Sequence, residues 1–299
     1  MSDPILEQLP EHIREQIREL TSHLVKRWSD ALHPKPPGLL YHYTDFDGFH
    51  GIIKTNTLRA TYSKALNDGS ERQHGEGIAS HALKQFCSEP LHSVIDGAIK
   101  QMNHSTFVAS FCESDELLSM WRAYARDGNG YCLGFDPSEL AHMVLDSPDD
   151  DKARKPKLVK IYYCQDDKEL PGSLLSCIKE VGEAYNIHVE IASAFLELVM
   201  FFGDMIKHKS FDEEKEWRLV AFDPDVKRMH FRDGHTNIKP YVELSKWYNK
   251  RCPLPIKHIT CGPRLRDGDR PDDIVKWMLK KYDYNDVEVT SCLIPYRLS

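Results

Sequence analysis

Several motifs that identify common enzyme classes are missing from the 299 residues of this chain. There is no GxGxxG turn and no GxxxxGK(S/T) loop, so the usual dinucleotide-binding turn and the P-loop are excluded. Without a GxSxG elbow, serine-hydrolase chemistry lacks its nucleophile. The fifteen histidines include no HExxH pair, and the eight cysteines include no Cys-x-x-Cys. Because no His or Cys grouping has metal-ligand spacing, the sequence predicts no metal centre.

Long apolar runs are absent as well. No stretch approaches the roughly 18 apolar residues of a membrane helix, and the first residues lack the basic and apolar regions of a signal peptide. The cysteines are scattered singly, which is typical of reduced, packed thiols. These features predict a cytoplasmic protein with no membrane partner. The formal charge of -7 argues against a nucleic-acid backbone as the default partner, although it leaves room for a local basic groove.

What is present is a pattern of many strands and grouped helices. Residues 1–38 predict a helical extension, which the prolines Pro34, Pro36 and Pro37 end before the first strand. This helix could pack on the body of the molecule or on a second protomer, so an oligomer is compatible with it. Residues 39–299 predict one α+β domain with a mixed or antiparallel sheet flanked by helices.

The segment 39–61 reads as a short strand that carries His42 and Thr44, an amphipathic helix, and a second strand. A histidine at a strand end beside a helix start can present its imidazole and nearby backbone amides to one ligand. The alternative is an ordinary strand-helix-strand unit with a half-buried histidine.

The segment 214–220 is the second informative pattern. Residues two apart in a strand share a face, so we expect Glu214, Glu216 and Arg218 on one face and Trp217 and Leu219 on the core face. A carboxylate near a ribose can stabilise the oxocarbenium ion that forms as a base departs, and Glu216 at the strand start is the strongest candidate. The alternative is an outer-face Glu/Arg ladder, whose cross-strand pairs contribute about 0.2–1 kcal/mol each.

Seven short landmarks span residues 39–297, almost the whole chain. They are residues 40–44, 66–68 with Glu71, 107–111, 120–124, 130–135, 214–218 and 262–263. On these landmarks the chain is similar to a bacterial family, the domain-of-unknown-function 2971 family. That resemblance implies family membership and no particular activity.

The order of the elements resembles the ADP-ribosyltransferase fold, which implies a split sheet and NAD as substrate. In that resemblance His42, with its neighbours Tyr43 and Thr44, would hold one ribose, and Glu216 with Glu214 would act at the other. Such proteins transfer ADP-ribose to a macromolecule or hydrolyse NAD, and they occur in toxin–antitoxin and phage-defence systems.

Two further positions follow from the same resemblance. Ser110 would support the nicotinamide-side ribose or the carboxylate, although a small residue that accommodates a neighbour is the alternative. The aromatic candidates for stacking on a nicotinamide or another base are Tyr43, Tyr62, Trp121, Tyr124 and Tyr131, and we expect only one of them, Tyr62, to touch the ligand.

The transferase resemblance leaves the segments 66–71 and 120–124 unexplained. Arg122 could form a buried bidentate pair with Asp68 in the Asn67–Asp68 turn, or it could bind a ligand phosphate. Two other functions therefore stay open at this point. One is a non-catalytic module that binds a nucleotide or a protein segment, and the other is a metal-dependent nuclease.

Overall fold

The computed structural model describes residues 11, 15, 35–36, 38–66, 69–101, 105–145, 155–187, 203–222, 224–234, 237–246, 252–265 and 271–296. Most of the predicted N-terminal helix, the prolines Pro34 and Pro37, and the Asn67–Asp68 turn lie outside these residues. Within them, no helix is long and apolar enough to cross a membrane.

The chain divides into two compact units, each built from separate segments. One unit, which we call the sheet unit, comprises Lys35–Ala65, Ser105–Leu158 and Glu213–Ser299. The other, the helical unit, includes Leu66–His104 and Val159–Asp212. The extension at 1–38 and the single domain at 39–299 stay predictions. The two units are defined by contacts between distant segments, which local sequence patterns do not encode.

The described elements follow one another in a mixed order. The strands are β1 (Leu40–Thr44), β2 (Leu58–Tyr62), β3 (Thr106–Phe111), β4 (Tyr131–Phe135), β5 (Val144–Leu145), β6 (Lys157–Lys160), β7 (Tyr162–Tyr163), β8 (Ile206–Lys207), β9 (Trp217–Phe222), β10 (His230–Asp233), β11 (Ile238–Ser245), β12 (Ile256–Cys261) and β13 (Glu288–Ser291). The α-helices are α1 (Phe46–Thr55), α2 (Gly69–Lys84), α3 (Glu89–Gln101), α4 (Leu118–Tyr124), α5 (Pro137–Leu140), α6 (Gly172–Ile187) and α7 (Pro271–Lys281).

The sheet unit contains two sheets. The first has the order β1-β4-β12-β13, in which β1, β4 and β12 are antiparallel and β13 pairs with β12 in parallel. The second has the order β10-β11-β2-β3-β9-β6, with β5 on β11, and the first two residues of β6 belong to this unit. Its pairings from β10 to β9 are all antiparallel. The molecule is therefore α+β with a largely antiparallel mixed sheet, as the sequence predicts.

One hydrophobic core joins the inner faces of both sheets with α1 and α7. Asp45 begins α1 as its N-cap, because its carboxylate accepts a hydrogen bond from the Gly48 backbone N–H at 2.8 Å. The helix buries Phe49, Ile52 and Ile53, as their spacing predicts, and ends at Asn56 in the left-handed region. Phe46, which the same spacing places with them, is instead exposed.

The two sheets meet along one edge of β3. Near its start β3 pairs with β2, and the last pair along β3 is Val108 with Thr61. Just beyond its end, Cys112 exchanges two backbone hydrogen bonds of 2.9 Å with Tyr41 of β1. Between these pairings, at residues 109–111, this edge of β3 passes from β2 to β1. We call this stretch the sheet junction.

In the helical unit, α2 packs against α3 and α6, and β7 pairs with β8 in parallel. His74 on α2 forms a hydrogen bond of 3.0 Å through Nε2 to the Cys164 carbonyl. Gln85, just after α2, donates a hydrogen bond to Asp167. None of the residues proposed from the sequence as a site lies in this unit.

Candidate functional site

His42 occupies the sheet junction. Its Nδ1 atom lies 2.9 Å from the Ser110 carbonyl oxygen, on the part of β3 that has lost β2 as a neighbour. The His42 ring also lies beside the Phe111 ring, with centroids 5.9 Å apart. His42 therefore joins β1 of the first sheet to β3 of the second.

The contact with Ser110 fixes which ring nitrogen of His42 carries the proton. A carbonyl oxygen can only accept, so Nδ1 must donate to it. Burial lowers the pKa of His42, and it outweighs the opposing effect of the hydrogen bond to Ser110. The imidazole is therefore neutral near pH 7, and its Nε2 atom carries a lone pair. Among the described residues, Nε2 of His42 has no hydrogen-bond partner.

Glu216 and Arg218 form a buried, bidentate ion pair. Nε of Arg218 donates to Oε1 of Glu216 at 2.7 Å, and a terminal nitrogen donates to Oε2 at 3.0 Å. Both side chains are only 6% exposed. Removing two charges from water is expensive, so a buried pair of this kind needs good geometry to be tolerated. The predicted outer-face ladder would be solvated, whereas this pair is not.

The alternation along β9 matches the prediction from the sequence. Trp217 and Leu219 point into the core, and Arg218 lies on the opposite face, directly across from Ser110 of β3. The same alternation puts Phe107 and Ala109 in the core and Ser110 on the face of Arg218. Ser110 thus touches both parts of the site: its carbonyl binds His42, and its side chain shares a face with the ion pair.

Glu214 is half-buried and precedes β9, at the end of the turn of 3-10 helix Lys209–Glu214. Lys215, between the two glutamates, has a φ of 42°, in the left-handed region that residues other than glycine seldom adopt. Strained backbone of this kind is concentrated at functional sites. Burial, followed by smaller contributions that include Glu214 and Glu216, raises the pKa of Cys112 to about 12. Cys112 is therefore a protonated thiol beside the two carboxylates.

Glu113 is part of the surroundings of β9, and sequence patterns did not point to it. Its carboxylate accepts a hydrogen bond of 2.9 Å from the indole N–H of Trp217. Trp217 is otherwise buried in the core and follows Glu216 directly. This contact fixes the start of β9 and thereby the position of Glu216.

The sequence predicts Tyr43 and Thr44 as ligand-binding residues beside His42. The structure places their two side chains in different surroundings. The Tyr43 hydroxyl donates to the Ser114 carbonyl at 3.0 Å and accepts from the Leu117 N–H at 3.1 Å. Its ring packs edge-on against Trp121, with centroids 4.9 Å apart, in a small second core. Burial raises the pKa of Tyr43 far above its usual range. Thr44 packs its hydroxyl against Gly48, where any side chain would collide with it.

Tyr62, the predicted stacking residue, lies on the core face of β2. Its ring contacts Phe107 with centroids 5.5 Å apart, and it packs against the main core. Leu58 and Ala60 share that face, whereas Ser110 and Arg218 lie on the opposite one. The structure therefore does not bring Tyr62 together with Ser110, Arg218 and Glu216.

Arg122 is exposed, and its guanidinium lies 5.3 Å from the centroid of the Tyr296 ring. Arg264 lies on the same ring at 6.0 Å and forms an ion pair of 2.6 Å with Asp127. The proposed pairing of Arg122 with Asp68 cannot be placed, because Asp68 lies outside the described residues. The exposure of Arg122 differs from the buried position that we predicted for it.

Among the described residues, no group of three or more His, Cys, Asp or Glu side chains could hold a metal ion. They therefore supply no ligand set for the metal-dependent nuclease that the sequence left open. The cysteines whose side chains are described are all free thiols.

Comparison with protein families gives a match for part of the chain. Residues 120–219 match the family described as protein of unknown function (DUF2971), the family that the sequence landmarks predict. The matched segment includes Arg122, Glu214, Glu216 and Arg218. No curated protein and no solved structure matches the chain.

Proposed function

We propose a function from the geometry of the site itself, because the family that residues 120–219 match has a description that states no activity. The proposal is an ADP-ribosyltransferase-like protein that binds NAD at the sheet junction. It would transfer ADP-ribose either to a macromolecule or to water. Transfer to a macromolecule would belong to a bacterial toxin or phage-defence setting.

The observation that carries this proposal is the fixed carboxylate of Glu216. Arg218 holds it through two hydrogen bonds, and both groups are buried. Arg218 lies on β9 across from Ser110, and Glu216 directly precedes that strand. When the bond between nicotinamide and C1′ of the ribose breaks, its electron pair goes to the nicotinamide nitrogen. C1′ then shares a positive charge with the ring oxygen. A preorganised carboxylate in a water-poor site stabilises such a charge without reorganising.

His42 and Glu214 take complementary roles in this proposal. Since Nδ1 of His42 donates to Ser110, the neutral Nε2 can accept a hydrogen bond from a ribose hydroxyl. Glu214, half-buried and two residues before Glu216, would accept the proton of the attacking hydroxyl as its oxygen bonds to C1′. Nicotinamide leaves and the acceptor loses one proton, so the transfer is balanced.

One observation favours a different function, a non-catalytic module that binds a nucleotide or protein segment. Both carboxylate oxygens of Glu216 already accept hydrogen bonds from Arg218. A saturated pair of this kind also fits a purely structural role, in which the ion pair fixes the register of β9.

Release of nicotinamide from NAD tests the proposal. We expect Glu216→Gln to lower turnover by roughly 10²–10³-fold, as the loss of one electrostatic transition-state contact does. Its affinity for NAD should stay within a few fold of the wild type. The exposed Glu116 provides a matched control, since Glu116→Gln removes the same charge elsewhere in the sheet unit. Melting temperatures of all three proteins would identify a variant that does not fold.

Two results would decide against catalysis. Calorimetric binding of NAD without nicotinamide release by the wild type, with candidate macromolecular acceptors present, would identify a binding module. Absence of NAD binding would contradict both the transferase and an NAD-binding module.

A further inference from the structure

A second group of polar side chains lies on the same sheet face as Ser110 and Arg218. It comprises Arg59 and Thr61 of β2, Tyr241 of β11, and His230 and Arg232 of β10, and we call it the arginine patch. Thr61 pairs with Tyr241, and Tyr241 pairs with His230, so these residues form one row across three strands. Residues two apart in a strand share a face, which places Arg59 and Arg232 on the same face, one on either side of that row.

Direct contacts organise the arginine patch around one aromatic ring. The guanidinium of Arg59 lies 4.8 Å from the Tyr241 ring centroid. The His230 ring stacks on the same ring, with centroids 5.3 Å apart and an angle of 27°. A terminal nitrogen of Arg232 donates to the Thr61 hydroxyl at 3.2 Å. Tyr241 itself is buried, whereas Arg59, His230 and Arg232 are exposed.

The two arginines of the patch form no direct ion pair within the described part of the chain. Glu243 stands opposite Arg59 in the strand register, on the same face. Burial and then the charge of Arg59 lower the pKa of Arg232, and only Tyr241 and Asp45 oppose this effect. Two guanidinium groups that repel each other would both be stabilised by an anion placed between them.

The arginine patch is continuous with the candidate site. Thr61 pairs with Val108 of β3, and Ser110 lies two residues further along the same face, opposite Arg218. Adjacent strands are about 4.8 Å apart, so β2 and β9 lie about 10 Å apart across β3. A dinucleotide whose reacting ribose lies at Glu216 can therefore place its diphosphate over β2.

We propose that Arg59 and Arg232 bind the diphosphate of a nucleotide whose ribose reaches the sheet junction. The planar guanidinium presents paired N–H donors that match two phosphate oxygens, and a hydroxyl such as that of Thr61 can add a third donor. Tyr241 supports Arg59 through its ring and thereby reduces the side-chain entropy lost on binding. The inference names the phosphate subsite of the proposed function and rests on it for the identity of the nucleotide.

Calorimetric titration with ADP, inorganic pyrophosphate and NAD tests the inference. We expect Arg59→Gln and Arg232→Gln each to weaken the binding of ADP and NAD about 10-fold or more, since each removes a charged hydrogen-bond donor. Lys54→Gln is the control, because it removes one exposed positive charge from the last turn of α1, which packs on the opposite, core side of the sheet. It should leave all three affinities unchanged. Both arginines are exposed, so the melting temperatures should stay close to that of the wild type.

The outcomes separate this inference from the proposed function. Unchanged ADP and NAD affinities in both arginine variants would overturn the phosphate subsite, while nicotinamide release by the wild type would still support the transferase. ADP and pyrophosphate binding that is lost in these variants, without NAD turnover, would support the subsite and contradict the transferase. A wild-type protein that binds a single-stranded oligonucleotide but none of the three small ligands would assign the patch to nucleic acid and overturn the inference. No binding of any kind would overturn it as well.

Discussion

The ion pair between Glu216 and Arg218 makes a sharp prediction about stability. Replacing Arg218 by methionine keeps most of the side-chain volume and removes the cation. Glu216, 4% exposed, would then be left as a buried carboxylate without the guanidinium that holds both of its oxygens. Breaking a buried pair from one side costs about 3–5 kcal/mol, so we expect Arg218→Met to lower the free energy of unfolding by that amount.

A second variant shows how much of this loss comes from leaving the charge of Glu216 buried without its partner. The double variant Glu216→Leu with Arg218→Met has no buried charge, and apolar replacement of a buried pair is often neutral or even stabilising. We therefore expect the double variant to recover most of the loss. The coupling energy between the two positions, which also requires the single variant Glu216→Leu, should exceed the 0.2–1 kcal/mol expected of a solvated cross-strand pair.

Hydrogen exchange of backbone amides in β3 and β9 is the suitable assay, because a chain of two units need not unfold in one step. The amides of Ala109 and Leu219, on the two paired strands, report the opening of the sheet at the site. A loss below about 1 kcal/mol in Arg218→Met would refute the reasoning, since that magnitude belongs to a solvent-exposed pair. A double variant as unstable as the single one would refute it too.

Three further predictions concern single positions. Tyr43→Phe should cost about 1–3 kcal/mol in urea unfolding, because it removes the acceptor of the Leu117 N–H and one of the two donors to the Ser114 carbonyl, which keeps the Cys112 thiol. Tyr62→Phe, whose hydroxyl has no hydrogen bond within the described residues, should cost little. Gly262→Ala should lower the melting temperature, because the added Cβ would collide with backbone oxygens. Gly51→Ala, in open space within a helix, should raise the melting temperature, since alanine stabilises a helix by up to about 1 kcal/mol relative to glycine. The pKa of His42 is lower in the folded than in the unfolded chain, so stability should fall as the pH drops below 6.5, and His42→Gln should reduce that fall; an unchanged pH profile would contradict the assignment.

Periodicity in the sequence anticipates much of the site. The alternation that placed Glu216 and Arg218 on one face of β9 depends only on the pleat of a single strand, and the structure has it. The same rule contained the signal that Tyr62 belongs to the core, because Leu58 and Ala60 are apolar and share its face. The aromatic ring of Tyr62 suits stacking on a nicotinamide, but its position in the strand places it in the core.

Other features of the site depend on which strands are neighbours in the sheet. Local sequence patterns do not reveal this order. Arg232 and Thr61 are far apart in the chain, and they meet only because β10, β11 and β2 are adjacent in that order. The burial of the Glu216–Arg218 pair is likewise a property of the assembled sheet. A strand pattern alone cannot distinguish a solvated Glu/Arg ladder from a buried one.

The adjacency of β2 and β3 also bears on how this chain could have been assembled. They pair as a hairpin would, with Tyr62 opposite Phe107, yet Leu66–His104 of the helical unit lies between them in the sequence. Loop-closure entropy rises by only about 0.6 kcal/mol for each doubling of loop length, so a sheet tolerates such an insertion at modest cost. The inserted segment Leu66–His104 and the sheet can then change independently in evolution. A relative in which a short turn joins Ala65 to Ser105 could retain the β2–β3 pairing without these helices.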